Sequence, residues 1–185
     1  YWGSEDIWDS KANNHNSMLD RKGRVWMAAT GHKPDNPDFC KKGSTHPSAV
    51  EFPINSTNRR VTMYDPKTGK YSAYQTCFGS HHLQFGYDAN DTLWMSTGGG
   101  GGHVGWINTK MLDETGDIEK SQGWTAIVVD TNGNGVRDEY TEPGKPVDPT
   151  KDMRIGPGIY AVSTSPVDGT VWAVSYTHLT LPTKA

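Results

Sequence analysis

The chain has 185 residues, a net charge near −3 and basic and acidic residues intermixed throughout. It is long enough for one domain with a core, but it carries no basic stripe of the kind that binds nucleic acid, and no apolar run approaches the roughly 20 residues that span a bilayer. Only 34% of residues are hydrophobic and Gly is abundant (21 residues), which favours short strands joined by turns over long helices.

In chain order, residues 1–14 read as a lead-in that opens on "YWGSEDIW" with no initiator methionine and no signal peptide. Residues 15–78 form a first unit. Strands are expected near Ser17–Leu19, Arg24–Ala28, Arg60–Asp65 and Tyr71–Thr76. The turn "DRKGR" joins the first pair and "DPKTG" the last, both with hairpin chemistry. A long insertion, "TGHKPDNPDFCKKGSTHPSAVEFPINSTN", separates the second and third strands. Residues 79–130 repeat the plan, with strands near Leu83–Tyr87, Thr92–Ser96, Val104–Asn108 and Trp124–Val129. The stretch "NTKMLDETGDIEKSQG", polar and bounded by turns, should hold the one notable helix, a short one, in an insertion between second and third strands. Residues 131–157 are a long polar connection. A third unit begins over 158–175, with strands near Ile159–Ser163 and Thr170–Val174. The end, "SYTHLTLPTKA", departs from the pattern where a further strand is due.

Three stretches share one design: "SMLDRKGRVWMAAT", "FGYDANDTLWMST" and "STSPVDGTVWAVS". Each is a strand, a polar turn and a second strand carrying Trp26, Trp94 or Trp172. Large rings at such positions pack between sheets. Four antiparallel strands per unit, repeated, is the grammar of a β-propeller. The expected fold is therefore all-β: about two four-stranded antiparallel blades plus the start of a third. Propellers close with 4–8 blades, so the chain reads as a fragment whose missing blades belong to a longer chain.

The stretches "DRKGRVWMA", "DANDTLWMS" and "DGTVWAVS" resemble the D-x-x-G-x-[VIL]-W-[FM]-[TAS] blade signature of the streptogramin lyase-like (virginiamycin B lyase-like) β-propeller superfamily. "MYDPKTGKY" matches the hairpin that follows it there. The resemblance covers most of residues 15–175, and sensor and NHL-type propellers share its strand grammar. It implies an architecture; fold does not fix activity. The family's activity would be eliminative opening of a lactone ring by a histidine base with Mg²⁺, using a His–Glu pair that has no matched position here. Residues 176–185 resemble the linker-derived tails of assembled environmental sequences and are expected to be non-native.

In a four-stranded blade the 2–3 and 4–1 connections share one face. All the elaborate segments are assigned to it, and loops held by a rigid scaffold carry function. His81 and His82 precede a first, innermost strand, and His15 enters the first unit at a similar place. They suit general bases or metal ligands, or only hydrogen bonds to loop backbone. His103 is expected at the mouth beside Gly98–Gly102, a run that lacks the context of a phosphate loop and reads as a tight or flexible turn. His32 and His46 are expected to be solvent-exposed. Two cysteines, Cys40 and Cys77, allow one disulfide or two thiols by count alone. Their placement on the same face, in the 2–3 insertion and at the end of the fourth strand, predicts that they pair, which implies an extracytoplasmic compartment of bacterial type, periplasmic or secreted.

"DTNGNGVRD" fits D-x-[DN]-x-[DN]-G-x-x-D. Asp130, Asn132, Asn134, the Val136 carbonyl and Asp138 would supply hard oxygens to Ca²⁺, with Gly135 permitting the curl. Position twelve is Thr141 rather than glutamate and a strand precedes the loop, so it is not an EF-hand; it resembles the calcium loops of integrin-α propellers. Five protein oxygens leave too few waters for Mg²⁺. A metal-free polar turn is the alternative. Functionally the sequence supports an extracytoplasmic module that binds a small-molecule, glycan or protein ligand on its loop-rich face, with a structural Ca²⁺. The alternatives are a carbon–oxygen lyase of the streptogramin lyase type using Mg²⁺ and, more weakly, a fragment of a quinoprotein-like dehydrogenase.

Overall fold

The computed structural model describes residues 14–29, 36–53, 60–97 and 102–175, and the backbone of 180–183. It is built mostly of antiparallel strands. β1 (Asn16–Leu19), β2 (Val25–Ala29), β3 (Arg60–Asp65) and β4 (Lys70–Tyr74) form one sheet in chain order. β5 (Leu83–Phe85), β6 (Thr92–Ser96), β7 (His103–Asn108) and β8 (Gln122–Ala126) form a second. β3 pairs with both β2 and β4, as the hairpin pattern requires. Two short strands, β9 (Val128–Val129) and β10 (Tyr140–Thr141), flank β11 (Asp152–Arg154) in a small mixed sheet. β12 (Ile159–Thr164), β13 (Val171–Ser175) and β14 (Thr180–Thr183) make the last sheet. The backbone of β14 pairs antiparallel with β13 even though its sequence departs from the earlier pattern, because ladder hydrogen bonds use main-chain groups that nearly every residue carries.

The repeated aspartate of each turn has a local job. Asp20 Oδ1 accepts the Arg24 backbone N–H at 2.9 Å, Asp88 Oδ1 that of Thr92 at 3.0 Å, and Asp168 Oδ1 that of Thr170 at 3.1 Å. Each bond closes the turn at the start of the Trp-bearing strand. The chain reverses through a left-handed residue three positions before each tryptophan: Gly23 (φ 79°), Asp91 (φ 51°) and Gly169 (φ 74°). Glycine takes that conformation without steric cost, and aspartate tolerates it.

The sheets pack face to face through their alternating apolar residues. Trp26, Ala28, Val61 and Met63 of the first sheet meet Leu83, Phe85, Leu93, Met95 and Ile107 of the second. Val104 and Ile127 meet Ile159, Val162, Val171 and Ala173 across the next interface. First strands are neighbours: the Leu83 N–H donates to Asn16 Oδ1 at 2.8 Å, and Thr164 Oγ1 donates to the Phe85 carbonyl at 2.8 Å.

Two helices decorate this frame. α1 (Pro47–Glu51) lies in the long β2–β3 connection, with His46 as its N-cap: His46 Nδ1 accepts the Ser48 N–H at 3.2 Å. His46 is thus a half-buried structural residue, not the solvent-exposed side chain expected. α2 (Thr109–Thr115) is capped by Asn108, whose Oδ1 accepts the Met111 N–H at 2.9 Å, and is ended by left-handed Gly116. It falls in the predicted stretch, but between the third and fourth strands of its sheet. It therefore sits at the tight-turn edge, and the elaborate segments do not all share one face.

At that edge Asp20 anchors a charged network. Its Oδ2 accepts the Trp26 indole N–H at 2.9 Å and the Arg24 Nε–H at 2.6 Å, while Arg24 and Lys22 also pair with Asp113. Burial opposes the charge on Asp20, but donors from Trp26 and Arg24 outweigh it and hold the carboxyl below its ordinary value. A depressed folded pKa contributes stability that is present above the unfolded value and lost as pH falls through the folded one. Asp20→Asn should therefore cost about 1–3 kcal/mol at neutral pH and flatten the acid limb of the stability curve, read by urea denaturation between pH 6 and 2. A wild-type acid limb unchanged in the variant would refute the assignment.

Candidate functional site

The entrances to three first strands converge. The His15 N–H donates to the Ala28 carbonyl at 2.9 Å, fixing the start of β1 on β2. The His81 N–H donates to the Ser96 carbonyl at 2.9 Å, and the Ser96 N–H returns to the His82 carbonyl at 3.0 Å, fixing the start of β5 on β6. Tyr160, at the start of β12, completes the group from the next sheet. The imidazoles of His15 and His81 stack with centroids 4.1 Å apart; His82 lies 4.4 Å from His81 and 4.9 Å from His15. One ring nitrogen from each of the three lies within 4.8 Å of the others.

Tyr160 contributes through its main chain. Its carbonyl oxygen is 3.1 Å from His81 Nδ1, 2.7 Å from His82 Nδ1 and 2.8 Å from Ser96 Oγ. A carbonyl can only accept, so an Nδ1 that bonds to it carries its proton, and in a neutral ring the lone pair is then on Nε2. Sequence reasoning pointed to the three histidines and missed Tyr160, since a backbone carbonyl leaves no mark on residue identity.

His103 does not join them. It is 5% exposed, its ring lies edge-on to Phe52 at 4.2 Å, and its Nδ1 is 3.1 Å from the Arg154 guanidinium. Arg154 also reaches Glu51 at 2.5 Å and Glu142 at 3.4 Å and lies 5.3 Å above the Trp124 ring. This buried cluster ties the β2–β3 connection to β11, and it corrects the expectation that His103 lines an open mouth. Beside it Gly102 adopts φ +56°, and a Cβ there would meet the Ile155 carbonyl oxygen at 2.0 Å. That position needs glycine for close backbone approach. Gly98–Gly101 and His32 lie outside the described residues.

The cysteines pair as placed: Cys40 and Cys77 form a disulfide with Cα atoms 4.9 Å apart, next to Ala49 and Phe39.

The polar loop curls around its glycines, Gly133 (φ 74°) and Gly135 (φ 73°). Asp130 Oδ1 accepts the Gly133 N–H at 2.6 Å and the Asn134 N–H at 3.2 Å, and its Oδ2 accepts the Gly135 N–H at 2.7 Å. Asn132 and Asn134 turn their amides to Asp138 Oδ2, at 2.6 and 2.7 Å. Those two donors hold the Asp138 carboxyl below its usual pKa, so it is ionised at neutral pH. Val136 lies on the loop's exposed surface, its N–H bonded to Asn134 Oδ1 at 2.7 Å. Asp152 of β11, unmarked in the sequence, completes the loop: its Oδ2 accepts the Asp138 N–H at 2.8 Å. Asp152 is 1% exposed, and its Oδ1 has no hydrogen-bond partner among the described residues.

A cleft at the tight-turn edge, lined by Arg21, Lys22, Asp91, Lys110, Asp113 and Glu114, is a weaker candidate because its charged groups pair with one another. The chain matches no protein-family model and no curated protein.

Proposed function

We propose that this chain is part of a β-propeller that binds a ligand at the loop-bearing ends of its first strands, with a structural Ca²⁺ in the 130–138 loop. The observation that carries the reading is the side-by-side placement of β1, β5 and β12, which brings His15, His81, His82 and the Tyr160 carbonyl to one point. Propellers line their axis with first strands and present ligands at one end of it. The Cys40–Cys77 bridge supports an oxidising, extracytoplasmic setting. No helix among the described residues is long and apolar enough to cross a membrane. Among the described residues this group gathers three imidazoles and no carboxylate, and the binding-module reading rests on the placement of those rings around the Tyr160 carbonyl.

The residue types of the loop suit a hard cation. Asp130, Asn132, Asn134 and Asp138 carry hard oxygens; in this structure Asn132 and Asn134 present their amide N–H groups to Asp138, so an ion there would need those amides to turn, and the buried Asp152 Oδ1 has no donor among the described residues. A buried carboxylate oxygen without a partner is costly, and a cation would relieve it. Asp152 would then stand in for the glutamate that loop position twelve lacks. The ion's chemistry would be structural: it would hold the connection between the second and third sheets.

Calorimetric titration of the chain with Ca²⁺ is expected to show one site. At a hundredfold excess over Kd the ion should add about 2.7 kcal/mol of stability. Asp130→Ala should abolish the heat, and Asp152→Asn should weaken binding about tenfold or more. Identical null titrations of wild type and Asp130→Ala would mean the loop is only a turn.

A further inference from the structure

We propose that His15, His81 and His82 form a binding site for a divalent transition-metal ion of the zinc type, with one coordination position left to an external ligand. The site is separate from the 130–138 loop in place and in chemistry: among the described residues it gathers three imidazoles and no carboxylate, which suits borderline-soft ions and not Ca²⁺. Tetrahedral zinc bound at about 2.0–2.1 Å holds its nitrogens roughly 3.3 Å apart. One ring nitrogen from each histidine lies within 4.8 Å of the other two; because the His15 and His81 rings stack with planes 21° apart, the His15 ring has to turn out of that stack to bring its in-plane lone pair onto the ion. His15 is exposed and the other two half-buried, which leaves room for that turn.

The surroundings are those of a metal ligand set. His81 and His82 both direct Nδ1 at the Tyr160 carbonyl. Metal-bound histidines commonly donate their second ring N–H to a carbonyl, which sets the tautomer and the ring orientation. Coordination then runs through Nε2 of both. Ser96 steadies the same carbonyl through Oγ, and also accepts the His82 N–H at 3.0 Å. All three ligands stand just before strands, on backbone hydrogen-bonded to the neighbouring strand, a more rigid mounting than a free loop. Three protein nitrogens make the open type of zinc site, in which the fourth position takes water or an incoming donor. The ligand class that follows is a small anion or a carboxylate-, hydroxamate- or thiol-bearing molecule able to bind that position.

The test uses the metal-stripped, untagged chain saturated with Ca²⁺. Zinc calorimetry is expected to show one ion per chain at micromolar Kd or tighter, and Co²⁺ should give the intense visible bands of a four-coordinate ion. His15→Ala and His82→Ala should each weaken zinc tenfold or more, while Asp130→Ala leaves it unchanged. Because a variant can misfold, the ¹⁵N side-chain resonances of the wild type give a second reading: zinc should shift Nε2 of His81 and His82 and leave those of His103 in place. A wild type with no zinc affinity tighter than about 100 μM, a loss below tenfold in both folded variants, or Nε2 resonances that do not move would each overturn the proposal. Failure of the calcium titration alone would leave this site standing, since the two share no ligand.

Discussion

Trp26→Ala is expected to destabilise the chain by about 3–5 kcal/mol, more than the same change at Trp94 or Trp172. Trp26 is 0% exposed. Its ring stacks on Tyr74 at 5.4 Å and meets Phe85 edge-on at 6.2 Å, so it packs against its own sheet and the next one. Deleting it removes apolar contact and leaves a cavity that rigid sheets on both sides cannot collapse to fill. It also strips the indole donor from Asp20 Oδ2. Trp26→Phe keeps an aromatic ring but loses the indole N–H and part of the ring volume, so its cost, expected at about 1–3 kcal/mol, sets an upper bound on the share of the N–H. Trp94 and Trp172 are half-buried, and their alanine variants should cost about 1–2 kcal/mol each. Urea denaturation of the four variants gives the ranking. Equal losses at all three alanine positions would show that burial at Trp26 does not distinguish it.

Removing the disulfide should cost about 4 kcal/mol. Cys40 and Cys77 are separated by 37 positions, and the loop-closure entropy withheld from the unfolded chain grows with that separation. The bridge joins the long β2–β3 connection to the segment after β4, where the Cys77 N–H donates to Gln122 Oε1 at 3.0 Å. The Gln122 side chain in turn donates to the Gln75 and Ile118 carbonyls, at 3.0 and 3.1 Å. Losing the bridge therefore loosens the junction of both four-stranded sheets. The double variant Cys40→Ala/Cys77→Ala avoids leaving a thiol or a hydroxyl in the buried pocket. Its stability against that of the oxidised wild type, with comparable denaturant slopes, measures the effect. A difference under about 1 kcal/mol would mean that the unfolded chain is not constrained by the bridge.

What the sequence determined by itself is local. Each strand–turn–strand unit is specified within about ten residues: an aspartate that accepts the next strand's N–H, a residue able to take positive φ, and alternating apolar side chains. The turns after Leu19, Phe85 and Thr164 follow from that chemistry, as do the strand pairs β1–β2, β5–β6 and β12–β13. The helix at Thr109–Thr115 was legible for the same reason, through its polar composition and its Gly116 stop. Which edge of the sheet it occupies depended on counting strands, because a helix follows whichever pair it connects. The disulfide was legible through topology, since two connections assigned to one face bring Cys40 and Cys77 together.

Tertiary structure decided what depends on partners far along the chain. Three tryptophans occupy one motif position, yet only Trp26 is fully enclosed, because enclosure is set by the neighbouring sheet and not by the turn. His15, His81, His82 and His103 look alike as sequence candidates. Three of them meet at strand entrances, while the fourth is packed under Phe52 and beside Arg154, one of whose partners, Glu51, is 103 positions away. The carbonyl of Tyr160 orients two imidazoles, and the Oδ1 of Asp152 has no donor among the described residues. Neither shows in residue type, since a backbone carbonyl is common to every residue and an acid's lack of a partner is a property of its surroundings.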